Sequence, residues 1–141
     1  MNKQETIRIM QYGSREEKMD YIDGLDIVFD TYDRNVPNAS EIVDTLIRFA
    51  LASTDDELTF TMLRVISLAQ TFQDLVGVDY GAIAKNLNKV PIQFLPNYID
   101  ILGGTCDITY LPDVLKFRDH ELADVRVAVR DALIEFRVIK P

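Results

Sequence analysis

Apolar residues recur every three or four positions along most of the chain, which is the spacing expected of one face of an α-helix. The pattern is clearest over Ala39–Leu51 and over Thr59–Phe72. No segment sustains the alternation of apolar and polar residues that a half-buried strand requires. The sequence therefore predicts an all-α fold.

Turn residues divide this pattern into pairs of helices. Gly13-Ser14, Ser53–Glu57 and the Val90-Pro91 step each separate one helix from the next, because these residues favour helix caps or turns. The predicted pairs are Gln4–Gln11 with Arg15–Tyr32, Ala39–Leu51 with Thr59–Phe72, Asp79–Asn88 with Pro91–Leu102, and Ile108–Arg118 with Ala123–Val138.

Some helix ends stay open at this level. Asn38 or Ser40 can cap the helix that begins at residue 39, and Gly103 or Gly104 is a natural stop for the helix before them. Pro96 either kinks the helix predicted over residues 91–102 or marks its true start.

The most specific pattern lies between residues 107 and 136. Its signature residues are Leu111-Pro112, Val114-Leu115, Phe117, Val125-Arg126, Ala128, Ala132 and Leu133. This segment resembles a HEAT repeat. One such repeat cannot bury its apolar faces alone, so the resemblance implies a HEAT-like α-solenoid of about four antiparallel helix pairs with a concave binding surface. The residues expected in the core of this last pair are Leu111, Leu115, Val125, Val129 and Leu133.

The composition predicts one folded domain over residues 1–141, because 48% of the residues are hydrophobic and only 27% are charged. The chain contains no run of about 18 apolar residues, so no membrane span is predicted. The lone cysteine, Cys106, cannot form an internal disulfide and fits a reducing, cytoplasmic location.

The charge of the chain narrows the choice of partners. A formal net charge of −8 disfavours binding to nucleic acid, where neutralisation of phosphates by Lys and Arg dominates affinity. It equally disfavours docking on an anionic membrane surface. A basic protein partner is the expectation that remains, because opposite charge accelerates association.

Catalytic and metal-binding motifs are not found. The chain has one histidine and one cysteine, too few for the common zinc sites, and it has no Gly-rich phosphate loop. HEAT-like di-iron hydroxylases use several His-Glu pairs, and this chain has only His120-Glu121. The basic groove of HEAT-like DNA glycosylases is not expected in a chain this acidic. We therefore expect no enzymatic activity, no metal and no cofactor.

The candidate site is the helix predicted over Arg15–Tyr32. Its acidic residues fall within an arc of roughly 140°, counted at about 100° per residue; they are Glu16, Asp20, Asp23, Asp26, Asp30 and Asp33. Met19 and Ile27 lie inside the same arc, as apolar anchors surrounded by charge would. The alternatives are a solvated helix face, and an arc covered by the chain's own N-terminal segment.

The HEAT resemblance adds further residues, because the second helix of each pair generally lines the concave surface of such an array. It makes Tyr98 and Asp100 candidates for the rim of the partner-binding surface. It also gives Arg126 a structural role, with Asp119 or Asp124 as the expected ion-pair partner.

These features favour a small cytoplasmic inhibitor in the style of bacterial immunity proteins, whose acidic surfaces cover the cationic groove of a toxin, commonly a nuclease domain. The first alternative is a HEAT-like adaptor that binds another protein or peptide, with no toxin. A second alternative, a HEAT-like enzyme such as a bilin lyase, ranks last because no convergent catalytic set is found.

Overall fold

The computed structural model describes all residues from 1 to 141 and contains α-helices, short 3₁₀ turns and no strand. The all-α prediction is therefore confirmed. The eight helices are α1 (Lys3–Tyr12), α2 (Arg15–Phe29), α3 (Ala39–Ala52), α4 (Asp56–Phe72), α5 (Gly81–Ala84), α6 (Leu95–Gly104), α7 (Leu111–Leu115) and α8 (Ala123–Glu135).

Side-chain caps start three of the first four helices. The side chains of Asn2, Ser14 and Asp55 each accept a hydrogen bond from a backbone N–H in the first turn of the helix that follows. Asn38 is the N-cap residue of α3, but it has a left-handed φ of 65° and its side chain makes no capping bond. Asparagine tolerates this conformation better than most residues do. Ser40 instead accepts a hydrogen bond from the backbone N–H of Val76.

The chain forms two compact units, Met1–Asp79 and Tyr80–Pro141. Each unit has its own set of buried apolar side chains. The expectation of a single domain over residues 1–141 stays a prediction.

In the first unit, consecutive helices form antiparallel hairpins. The Thr6 hydroxyl lies 2.6 Å from the Tyr21 hydroxyl, and the methyl of Met1 lies beside Gly24, so the start of α1 packs near the end of α2. In the second hairpin the Val36 N–H, just before α3, donates to the side chain of Gln73, just after α4.

The two hairpins stack in the same direction. Three arginines make ion pairs that join the α2 segment to the α4 segment: Arg15 pairs with Asp55 at 2.6 Å and with Glu57 at 2.9 Å, Arg64 with Asp26 at 3.0 Å and Arg34 with Asp74 at 2.8 Å. The pairs follow one another in the same order along both segments. The axes of α2 and α4 must therefore run in parallel, each in the direction of the chain.

The second unit repeats this relation between α6 and α8. A Cβ atom added to Gly103 would lie 2.8 Å from the Cα of Ala132, and the Cys106 thiol lies 3.8 Å from the Glu135 carboxylate. Because both contacts advance by three residues on each side, α6 and α8 also run in the same direction.

Several predicted boundaries in the second unit are wrong. The segment Asp79–Asn88, expected to form one helix, contains only a single helical turn, Gly81–Ala84. So short a segment has little apolar surface with which to hold a longer helix in place. The helix expected over Ile108–Arg118 becomes a 3₁₀ turn followed by α7. Pro96 lies in the first turn of α6, where its missing N–H costs no hydrogen bond, so it marks a helix start.

The core predicted for the last helix pair is confirmed for α8, whereas in α7 Leu111 is only half-buried and the prediction for Leu115 is wrong. Val125, Val129 and Leu133 are buried, whereas Leu115 is 36% exposed. Val114 takes the buried position, with no exposed surface. The short α7 therefore buries Val114 in place of Leu115, so its buried face differs from the one expected of a full-length helix.

Arg126 has the structural role expected of it but not the expected partners. Its guanidinium donates to the backbone carbonyls of His120 and Glu121, at 2.7 and 2.9 Å. Asp119 and Asp124 are not involved. The arginine therefore closes the turn before α8 through the main chain.

Of the two glycines that could end this helix, Gly103 lies inside α6 and is buried. Its missing Cβ is what allows the backbone of α6 to approach Ala132 of α8. Small residues at a helix crossing permit such close contact between backbones. The helix ends one residue later, at Gly104.

We expect Gly103→Ala to lower the free energy of unfolding by about 1–3 kcal/mol, the usual cost of overpacking. Gly24→Ala is the matched control, because its Cβ would lie 3.4 Å from the Met1 methyl, an ordinary contact. That change should raise the free energy of unfolding by up to about 1 kcal/mol, since alanine favours a helix interior over glycine. Urea unfolding followed by circular dichroism measures both. Equal effects of the two changes would contradict the close packing of α6 on α8.

Candidate partner-binding surface

Helix α2 has one buried face and one exposed face. Ile22, Leu25 and Phe29 have no exposed surface. Ile27 follows Leu25 by two residues, about 200° around the helix, and is 78% exposed. The N-terminal segment therefore does not cover Ile27, although the Met1 methyl lies against the neighbouring Gly24.

Exposed carboxylates surround Ile27 on this side of α2. We call the set of Glu16, Asp20, Asp23, Ile27 and Asp30 the acidic face. All five side chains are exposed, and none of the four carboxylates makes an ion pair or a hydrogen bond. Like charges three or four residues apart destabilise a helix by about 0.2–0.5 kcal/mol per pair. The acidic face is therefore a locally unfavourable arrangement that nothing in the first unit neutralises.

Asp26 and Met19 lie at the edge of this face and are half-buried. The Asp26 carboxylate pairs with the Arg64 guanidinium of α4 at 3.0 Å. The sequence placed Asp26 among the partner-binding carboxylates of the arc, and that role stays a prediction for a carboxylate that already has a counterion. Asp26 belongs to the contact between α2 and α4.

Asp33 lies outside the helix, because α2 ends at Phe29 and not at Tyr32. The Asp33 carboxylate accepts a hydrogen bond from the N–H of Asn35 at 2.9 Å. Tyr32, the predicted last residue of this helix, lies beyond its end and is fully exposed. Aspartates at a helix C-terminus oppose the helix dipole, which favours this early end.

The side chain of Gln73 holds the chain beyond α2 in place, a role that no pattern in the sequence indicates. Its side chain is buried, donates to the carbonyls of Phe29 and Asp33, and accepts from the N–H of Val36. A buried amide must find such partners. It therefore takes the place of the helical hydrogen bonds that α2 lacks at its end.

Tyr98 and Asp100, the two rim candidates, belong to α6 in the second unit. Tyr98 is 1% exposed, and its burial raises the pKa of its hydroxyl to about 12. A core side chain cannot contact a partner, so the prediction for Tyr98 is wrong. Asp100 is exposed, and its partner-binding role stays a prediction.

Phe60 is an exposed aromatic residue that the sequence reasoning missed. It is 52% exposed on α4, one helical turn before Arg64. Because Arg64 pairs with Asp26, Phe60 lies on the side of α4 that borders the exposed side of α2. Its exposure could have been predicted from the helical period, because Phe60 falls outside the buried stripe of its own helix.

The charge is divided unequally between the two units. Residues 1–79 contain 7 basic and 15 acidic side chains, whereas residues 80–141 contain 8 of each. The entire formal charge of −8 therefore resides in the first unit. The acidic face supplies four of its carboxylates.

Comparisons with protein-family models, with curated proteins and with solved structures find no match for this chain. No group of three or more His, Cys, Asp or Glu side chains is arranged to hold a metal ion. None of the helices combines the length and the apolar character needed to cross a membrane.

Asp100 should give the stability of the protein a distinctive pH dependence. Partial burial and then the negative charge of Asp131 raise the pKa of the Asp100 carboxyl from 3.8 to about 6. The folded protein therefore resists ionisation of this group, and stability falls as pH rises from about 4 to about 6. Asp100→Asn should raise the free energy of unfolding by about 1 kcal/mol at pH 7, allowing for solvent screening of an exposed group.

Thermal unfolding of the parent and of the Asp100→Asn variant between pH 4 and 7 tests this expectation. The gain in stability should be present at pH 7 and absent at pH 4. Asp131→Asn should give a smaller gain in the same direction, because it removes only the charge repulsion. A gain that is independent of pH would contradict the proposed origin.

Proposed function

We propose that this chain is a non-enzymatic binding protein that holds a basic protein partner on the acidic face of α2. The observation that carries the proposal is Ile27, an apolar side chain 78% exposed at the centre of carboxylates that have no counterion. A desolvated apolar centre with a charged rim is the usual anatomy of a protein interface.

We further propose that the helices form a HEAT-like solenoid. The support is the direction of stacking: α2 and α4 run in parallel, and so do α6 and α8. Repeated hairpins that stack in one orientation bury their faces against one another, as repeat arrays do. In such an array α2 is the second helix of its pair.

Electrostatics provides the attraction and the specificity. Unpaired carboxylates on the acidic face create a field that accelerates encounter with a cationic surface and disfavours an anionic one. Charge of this kind contributes more to the association rate than to affinity. Ile27, together with Phe60 at the border, supplies the apolar contact that slows dissociation.

The particular role that we propose is inhibition of a basic toxin, commonly a nuclease domain, by an immunity-type protein in the cytoplasm. The supports are the −8 charge and the helical hairpins. The free thiol of Cys106 fits a reducing compartment. An adaptor without a toxin partner is the alternative, and it would use the same surface.

Reversing charge on the acidic face should prevent capture of the partner. We expect the parent chain to retain a basic protein from a lysate of the source cell, and Asp23→Lys/Asp30→Lys to lose it. With the purified partner, surface plasmon resonance should show an association rate at least about tenfold slower at low salt. The helix should remain intact or become slightly more stable, because repulsion is relieved.

The matched control is Asp119→Lys/Glu121→Lys, which changes the net charge equally. Both side chains are exposed in the second unit and make no ion pair. This control should still capture the partner. If both double variants lose it, only the net charge matters, and if neither does, the acidic face is merely solvated.

The apolar centre of the face should affect dissociation. Ile27→Asp should raise the dissociation rate of the captured partner by about tenfold or more, the cost of losing a hot-spot contact. Val76→Asp is the control, since Val76 is equally exposed at 79%. Equal effects of the two changes on dissociation would remove Ile27 from the interface.

The activity of the captured protein separates the inhibitor from the adaptor. A toxin partner should lose its activity, for example nuclease cleavage, when one equivalent of this chain is added. It should keep that activity when the Asp23→Lys/Asp30→Lys variant is added instead. A partner that keeps its activity in the complex supports the adaptor.

A further inference from the structure

Phe60 is an aromatic side chain of α4 whose ring has no partner. It is 52% exposed, and neither another ring nor a cation packs against its face. The nearest cation along α4 is Arg64, one helical turn further on, and its guanidinium is held by the Asp26 carboxylate at 3.0 Å. The face of the Phe60 ring is therefore open to a group from outside the chain.

The register of α2 and α4 brings Phe60 to the acidic face. The Asp26–Arg64 ion pair defines one level at which the two parallel helices meet. Phe60 lies four residues before Arg64, which is about 6 Å back along α4. Asp23 lies three residues before Asp26, which is about 4.5 Å back along α2. Phe60 and Asp23 are therefore at nearly the same level of two adjacent helices, whose axes lie about 8–10 Å apart.

The charge around this ring is negative. Asp26 and Arg64 offset each other, whereas the Asp23 carboxylate makes no ion pair or hydrogen bond. The other carboxylates of the acidic face are equally without a counterion. A cation that approaches the Phe60 ring therefore finds an unpaired carboxylate beside it.

Arginine and lysine differ in how they can use a ring next to a carboxylate. A guanidinium is planar and weakly hydrated, so it can stack on an aromatic face while its N–H groups donate to a carboxylate. An ammonium is compact and strongly hydrated, so it gives up more hydration for the same contact. The ion pairs between the α2 and α4 segments follow the same preference, since arginines make all of them and Lys3 and Lys18 make none.

We propose that Phe60 and Asp23 form a subsite on the acidic face that selects arginine over lysine in the basic protein partner. A partner arginine stacks on the Phe60 ring and donates to the Asp23 carboxylate, while Ile27 contacts an apolar side chain next to that arginine. This inference rests on the proposed function, because it requires the acidic face to be the binding surface.

Two alanine-based peptides are the probes, identical except that one carries arginines where the other carries lysines. A length of about 15 residues covers the acidic face from Glu16 to Asp30, since each helical residue advances about 1.5 Å. Binding to the full chain is followed by fluorescence anisotropy at low salt, where exposed charges are least screened. We expect the arginine peptide to bind about three- to fivefold more tightly, the contribution of one exposed contact between a cation and a ring.

Variants of Phe60 assign this preference to the ring. Phe60→Leu keeps an apolar side chain and should weaken the arginine peptide by about three- to fivefold while leaving the lysine peptide unchanged. Phe60→Tyr retains a ring and should retain the preference. Phe117→Leu removes a half-buried ring from the second unit and should change neither affinity. A purely structural role of Phe60 would weaken both peptides alike.

The inference is overturned if the two peptides bind equally, if neither binds at millimolar concentration, or if Phe60→Leu leaves the ratio of their affinities unchanged. The Asp23→Lys/Asp30→Lys variant separates this failure from a failure of the proposed function. If that variant loses two peptides that the parent binds equally, the acidic face remains a binding surface and only the Phe60 subsite is removed. If it binds both peptides like the parent, the acidic face itself is removed.

Discussion

The first unit depends on the packing of α2 against α4. Ile22, Leu25 and Phe29 are completely buried, and each contributes about 1.5–3 kcal/mol of hydrophobic stabilisation. The exposed ion pairs between the α2 and α4 segments contribute about 0–1 kcal/mol each. These pairs form only when both helices run in the same direction. Burial therefore holds the two helices together, and the ion pairs favour one direction and one register.

The same packing determines which carboxylates stay free. Arg15, Arg34 and Arg64 are engaged by acids across this contact, and Arg48 pairs with Asp44 on its own helix. Arg8, the fifth arginine of this unit, makes no ion pair, so no arginine pairs with the carboxylates on the opposite side of α2. The mutual repulsion of its acids is therefore uncompensated within the first unit, and a cationic surface from outside is what would relieve it.

The long helices could be predicted from the sequence because their apolar period is clear over several turns. Ala39–Leu51 was predicted and Ala39–Ala52 is observed. The end of α2 could not be predicted, since it depends on hydrogen bonds from Gln73, which is 44 residues away from Phe29. Tyr98 was misplaced because α6 is apolar on nearly all sides, so its sequence period indicates no outer face.

The candidate site was predictable to the extent that it depends on α2 alone. The exposure of Ile27 follows from the helical period, whereas the pairing of Asp26 requires the position of Arg64 on another helix. A cavity lined by Met10, Lys18, Phe49 and Leu58 could not be predicted either, since α1, α2, α3 and α4 each contribute one of these residues. Tertiary packing of this kind leaves no period in the sequence.

Two residues of α2 depart from the pattern in which apolar residues lie on the buried side of the helix and polar residues on the exposed side. Ile27 is apolar at the centre of the exposed side, and Lys18 is cationic on the core-facing side. A sequence selected only for folding would favour a polar residue at the first position and an apolar residue at the second. Departures of this kind are expected where function, and not stability, determines the residue. Ile27 and Lys18 lie on opposite sides of one helix, so the exposed apolar side chain and the half-buried cation belong to different surfaces of α2.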